Sequence, residues 1–69
     1  MDIRISGIGN IKLAELEAHL SAYLNAGAPE PVLEGTPEQR RAIWQLVASR
    51  GDRQMKALAA YYLEKIADS

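Results

Sequence analysis

Residues 36–67 read TPEQRRAIWQLVASRGDRQMKALAAYYLEKIA, and this stretch contains the clearest helix signals in the chain. Thr36 is a typical N-cap residue, and Pro37 suits the first position of a helix because an N–H there would have no partner. Gln39 lies three residues after Thr36 and completes a capping box with it. These signals predict a helix over residues 37–50.

A glycine and an aspartate follow this helix directly. Gly51 can end the helix as its C-cap, and Asp52 can cap the start of another helix over residues 52–67. A link this short predicts an antiparallel helical hairpin. One continuous helix across Gly51 is the alternative, since glycine in a helix interior costs only about 1 kcal/mol relative to alanine.

An earlier helix is predicted over residues 11–26. Asn10 can act as its N-cap, Gly27 can end it, and Pro29 prevents its continuation. Its core face, at helical spacing, comprises Leu13, Leu16, Leu20, Tyr23 and Leu24. The core stripes of the two later helices comprise Ile43, Leu46, Val47, Met55, Leu58, Ala59, Tyr62, Leu63 and Ile66. We expect these stripes to face one another in a small three-helix bundle.

The first ten residues differ in pattern from the rest of the chain. Ile3 and Ile5 alternate with polar residues, as in a short strand, and two glycines then interrupt the alternation. No second strand pattern follows, so we expect either an irregular extension or pairing with another chain by strand addition. The sequence thus predicts an all-α protein with an extended segment over residues 1–10 and a single helical domain over residues 11–69.

Composition limits the classes of protein that need to be considered. The chain has 69 residues, of which 48% are apolar and 25% charged, as in a folded domain. A formal net charge of −1 gives no bulk attraction to nucleic acid or to an anionic membrane. No apolar run approaches the ~20 residues that cross a bilayer. We expect a cytoplasmic protein whose small core leaves apolar surface for a second chain to cover.

Catalytic and metal-binding signals are weak. His19 lies four residues after Glu15, but a metal site needs three or four ligands and the chain has no cysteine and no other histidine. We therefore expect His19 at the edge of the core. The serines have no identifiable base, and Gly7 and Gly9 form only a fragment of a phosphate-binding loop. No metal, no cofactor and no enzymatic activity are expected.

Two aromatic residues and two arginines suggest a surface for a protein partner. Trp44 lies off the centre of its helix's predicted core stripe, and Tyr61 projects away from the stripe of its own helix. Arg40 and Arg41 lie one turn before Trp44 and could stack on the indole. Tryptophan, tyrosine and arginine often carry binding energy at interfaces, so these four are predicted to bind a partner. The alternative is that both rings pack against the loop at Val32 and Leu33.

A row of alanines marks the other side of the first helix. Ala14, Ala18, Ala22 and Ala26 recur at every fourth position, and Ile11 lies on the same side. Small side chains allow a second helix to approach closely and gain many dispersion contacts. These five residues are predicted to form the interface of a homodimer. The alternative is that these alanines occupy an exposed helix face because alanine has the highest helix propensity.

Five basic residues lie between positions 40 and 56, namely Arg40, Arg41, Arg50, Arg53 and Lys56. They are compatible with an ordinary solvated surface, with a patch for an acidic protein, or with phosphate contacts from the hairpin tip at Arg50 and Arg53. The sequence favours a non-enzymatic protein–protein interaction module, such as an adaptor, a chaperone or an inhibitor. A small nucleic-acid-binding regulator is the alternative.

Residues 48–67, ASRGDRQMKALAAYYLEKIA, resemble the inter-helix turn of solenoid repeat proteins. In size and expected shape the chain is also similar to small helical-hairpin proteins of bacterial secretion systems and to small phage-encoded inhibitors. These resemblances imply a further alternative, a small helical subunit or chaperone of a secretion or phage assembly.

Overall fold

The structure, a computed structural model, describes residues 2–68 and is mostly helical. The chain divides into two compact units, Met1–Gly35 and Thr36–Ser69. The described part of the first unit contains strands β1 (Ile3–Ile5) and β2 (Gly9–Ile11) and helix α1 (Leu13–Ala26). The second unit contains helices α2 (Pro37–Arg50) and α3 (Arg53–Asp68). The three expected helices are therefore confirmed, while the three-helix bundle and the single domain stay predictions.

The amino-terminal segment forms a β-hairpin, so the expectation of a lone strand is wrong. β1 and β2 are antiparallel, with Ile3 opposite Ile11 and Ile5 opposite Gly9. Between them the N–H of Ile8 donates to the carbonyl of Ile5 at 3.1 Å. Gly7 is the third residue of this four-residue turn and has a φ of 81°. Glycine adopts such a left-handed angle without a steric penalty.

A third short segment lies along the other edge of β1. The N–H of Ser6 donates to the carbonyl of Val32, and the N–H of Glu34 donates to the carbonyl of Arg4, both at 2.9 Å. These bonds flank an antiparallel bridge between Ile5 and Leu33. β1 therefore pairs with β2 on one edge and makes backbone hydrogen bonds with residues 32–34 on the other.

Helix α1 begins two residues later than expected. The backbone N–H of Lys12 donates to Oε1 of Glu15 at 3.3 Å, so Lys12 is the N-cap. Asn10, the expected cap, lies in β2 and accepts from Nε of Arg4 at 3.4 Å. The helix ends as predicted at Gly27, whose φ of 71° is left-handed.

The start of α2 is the one predicted. The N–H of Gln39 donates to Oγ1 of Thr36 at 3.2 Å, and the N–H of Thr36 donates to Oε1 of Gln39 at 2.9 Å. This is a complete capping box, followed by Pro37 at the first helical position.

The turn after α2 also separates two helices as expected, and the continuous helix is wrong. Oδ1 of Asp52 accepts from the N–H of Met55 at 3.0 Å and caps α3. Gly51 has extended backbone angles rather than left-handed ones. A side chain there would approach Cβ of Met55 and lie 2.7 Å from the carbonyl oxygen of Val47. Glycine is needed at this position because of crowding.

The two units bury different sets of apolar side chains. In the first unit these are Ile3, Ile5, Ile11, Leu16, Leu20 and Leu33, and in the second they are Ile43, Trp44, Val47, Met55, Ala59 and Ile66. In the second unit α2 packs against α3. Leu46, expected in the core stripe of α2, is only half-buried, whereas Trp44, two residues earlier, is buried.

Candidate protein-binding surfaces

Trp44 lies in the interior, which corrects the expectation of an exposed indole. Its side chain is 3% exposed, and its ring stacks on that of Tyr62 with centroids 4.3 Å apart and planes 8° apart. Since Trp44 is in α2 and Tyr62 is in α3, this contact joins the two arms of the hairpin and shows that the chain has doubled back. The indole stabilises the second unit and is not available as a first contact for a partner.

Tyr61 is the exposed member of the same aromatic cluster. Its ring meets that of Tyr62 edge to face, with centroids 5.4 Å apart and planes at 71°. Nζ of Lys65 lies 4.9 Å from the Tyr61 ring centroid. The side chain is nevertheless 50% exposed. Its position is thus supported by neighbours while half of its surface faces solvent, which lowers the entropy cost of using it in binding.

The two arginines proposed beside Trp44 differ from each other. Arg41 is exposed, as expected for a side chain pointing away from the core stripe. Arg40 is half-buried, and its Nε has no hydrogen-bond partner among residues 2–68. The ring partner of Trp44 is Tyr62. Of the four predicted partner-binding residues, Arg41 and Tyr61 are the ones on the surface.

The alanine side of α1, defined as Ala14, Ala18, Ala22 and Ala26, faces outward. Ala14, Ala18 and Ala26 are exposed and Ala22 is half-buried. Leu16 and Leu20, on the opposite side of the helix, are completely buried. Ile11 does not belong to this side, because it lies in β2 and is buried. The predicted interface therefore loses Ile11 and keeps its four alanines.

The first unit has exposed apolar residues that the sequence did not predict. Ile8 in the hairpin turn and Val32 beside β1 are 51% and 57% exposed. Leu24, which was expected on the core face of the first helix, is 37% exposed, so that expectation is wrong. Alternation along the segment that pairs with β1 could have indicated Val32, because its neighbour Leu33 is buried. The alternation is informative only once residues 32–34 are known to pair with β1.

Charge is distributed unevenly between the two units. Residues 1–35 contain two basic and five acidic residues, a formal net charge of −3 with histidine neutral. Residues 36–69 contain six basic and four acidic residues, a net charge of +2. The helical hairpin is therefore basic although the whole chain has a net charge of −1.

Titratable groups of the described chain do not form a metal-binding cluster. Within residues 2–68, no three histidine, aspartate or glutamate side chains are grouped closely enough to hold a metal ion. The ammonium of Lys12 hydrogen-bonds Oδ1 of Asp2 at 2.9 Å in an exposed ion pair. This bond and the attraction between the charges lower the pKa of Asp2 and raise that of Lys12. His19, at the other candidate metal position, is half-buried.

No protein-family model, curated protein or solved structure matches the chain. Among residues 2–68, no helix combines the length and the apolar character needed to cross a membrane.

Proposed function

We propose that this chain is a non-enzymatic protein–protein interaction module, a small adaptor, chaperone or inhibitor that works as a homodimer in the cytoplasm. The observation that supports the proposal is the alanine side of α1. Exposed helix surface is normally rich in charged residues, but here the positions opposite the buried leucines are mostly alanine.

Alanine surfaces gain energy when they meet another helix of similar shape. Because the side chain is a single methyl group, two helix backbones can come close together and make many dispersion contacts. Alanine also loses no side-chain entropy when it becomes buried. A second copy presents the same surface, and a two-fold interface needs one self-complementary patch per subunit. The alanine side is such a patch.

A separate surface remains for the regulated partner in this proposal. Tyr61 and Arg41 are exposed on the second unit, and tyrosine and arginine are common binding residues. Trp44 acts indirectly, since it stacks on Tyr62, which in turn supports Tyr61. These residues belong to the second unit, whereas the alanine side belongs to the first.

Sedimentation equilibrium of charge variants tests the dimer. We expect the wild type to sediment as a dimer at micromolar concentration. Ala18→Glu places a carboxylate of each copy within the shared interface, and we expect it to sediment as a monomer. Ala60→Glu adds the same charge at an exposed alanine of α3 and should remain dimeric. A monomeric wild type, or equal losses of dimer in the two variants, would contradict the proposed role of α1.

A further inference from the structure

The tip of the helical hairpin, defined as Arg50, Arg53 and Lys56, is a cluster of exposed basic residues. Arg50 ends α2, and Arg53 and Lys56 lie in the first turn of α3. None of the three forms an ion pair with any residue from 2 to 68. The nearby carboxylate of Asp52 accepts a hydrogen bond from the backbone N–H of Met55.

Two of these cations are in an unfavourable place for helix stability. The amino-terminal end of a helix carries partial positive charge, so cations there are disfavoured. The first turn of α3 contains Arg53 and Lys56 and has no acidic residue. Arg50, Arg53 and Lys56 carry three positive charges, and Asp52 carries one negative charge. The tip therefore has a net positive charge that attracts an anionic group.

We propose that the hairpin tip binds an acidic segment of a partner protein. This inference rests on the proposed function, because it names the chemistry of the partner of the interaction module. Guanidinium groups bind carboxylates through paired hydrogen bonds, and two arginines with one lysine match a short segment with two or three carboxylates.

The charge of the whole chain favours a short acidic segment over nucleic acid. A duplex extends well beyond the tip and carries charge along its entire length, whereas the chain has a net charge of −1 and its first unit a charge of −3. Nucleic-acid-binding domains typically have an isoelectric point above about 9, and that of this chain is near 5.7. A short acidic peptide meets only the local potential of the tip.

Fluorescence anisotropy with a labelled hexaglutamate peptide tests the inference at low salt. Arg50→Gln/Arg53→Gln should weaken peptide binding by about fivefold or more, because it removes two of the three cations of the tip. The control is Arg4→Gln/Lys12→Gln, which removes the same charge from exposed positions of the first unit. We expect the control to change the affinity less than about twofold, because Arg4 and Lys12 already bind Asn10 and Asp2 and do not belong to the tip.

Three results would overturn the inference. One is the absence of peptide binding at millimolar concentration, and another is an equal loss in both double variants, which would indicate attraction to overall charge. The third is tighter binding of a random-sequence DNA duplex than of hexaglutamate, with a steep dependence on salt, which would favour a nucleic-acid-binding regulator. The proposed homodimer is measured independently by sedimentation, so failure at the tip and failure of the dimer can be distinguished.

Discussion

The two glycines that end helices do so for different physical reasons. Gly27 has a left-handed φ of 71°, and a side chain there would have open space around it. Gly51 has ordinary extended angles, but a side chain would collide with Met55 and with the carbonyl of Val47. Both positions could be predicted as helix ends from the sequence. The crowding at Gly51 could not, because it depends on how α3 leaves the turn.

Alanine substitutions separate these two causes. We expect Gly27→Ala to cost about 1 kcal/mol for the left-handed backbone, and Gly51→Ala to cost about 1–3 kcal/mol because atoms must move apart. Asparagine tolerates left-handed angles, so Gly27→Asn should recover stability while Gly51→Asn should not. Urea unfolding followed by circular dichroism measures all four variants. Recovery by asparagine at Gly51, or no recovery by asparagine at Gly27, would contradict this explanation.

The helical elements were more predictable than the strands. The capping residues of α2 and α3 are adjacent in sequence to the helices that they start, so Thr36 and Asp52 could be recognised without tertiary information. β2 contains Gly9 and Asn10, which have low strand propensity, and it forms because β1 and the turn place it in register. The segment at Leu33 pairs across a long sequence separation that no local pattern reveals.

The α2–α3 hairpin depends on the stacked indole of Trp44. Replacing a buried tryptophan with alanine typically costs about 3–5 kcal/mol, and a domain of this size has only a few kcal/mol of total stability. We therefore expect Trp44→Ala to lose most of its helical circular dichroism at room temperature. Trp44→Phe keeps an aromatic ring opposite Tyr62 and should remain folded with reduced stability. Unchanged urea midpoints in Trp44→Ala would show that the indole is dispensable.

At the scale of the whole molecule, apolar residues remain on the surface of both units. The alanine side of α1 was predicted from four-residue spacing and is mostly exposed, and its role as a dimer interface stays a prediction. The aromatic site was predicted less well, because residue type suggested an interface role for Trp44 while its size favours burial. Spacing fixes which residues share a helix side, but neighbouring elements determine which side is covered. Tyr61 and Arg41 could be placed by spacing alone because nothing covers them fully.

The most direct test of the proposed function is nuclear magnetic resonance of an equimolar mixture of isotope-labelled and unlabelled chains. If a second copy binds the alanine side of α1, isotope-filtered spectra should show intermolecular nuclear Overhauser effects at the methyl groups of Ala14, Ala18, Ala22 and Ala26. The methyl groups of Ala57 and Ala60, exposed on α3, should show none. An absence of intermolecular effects at α1, or effects confined to α3, would contradict the central claim.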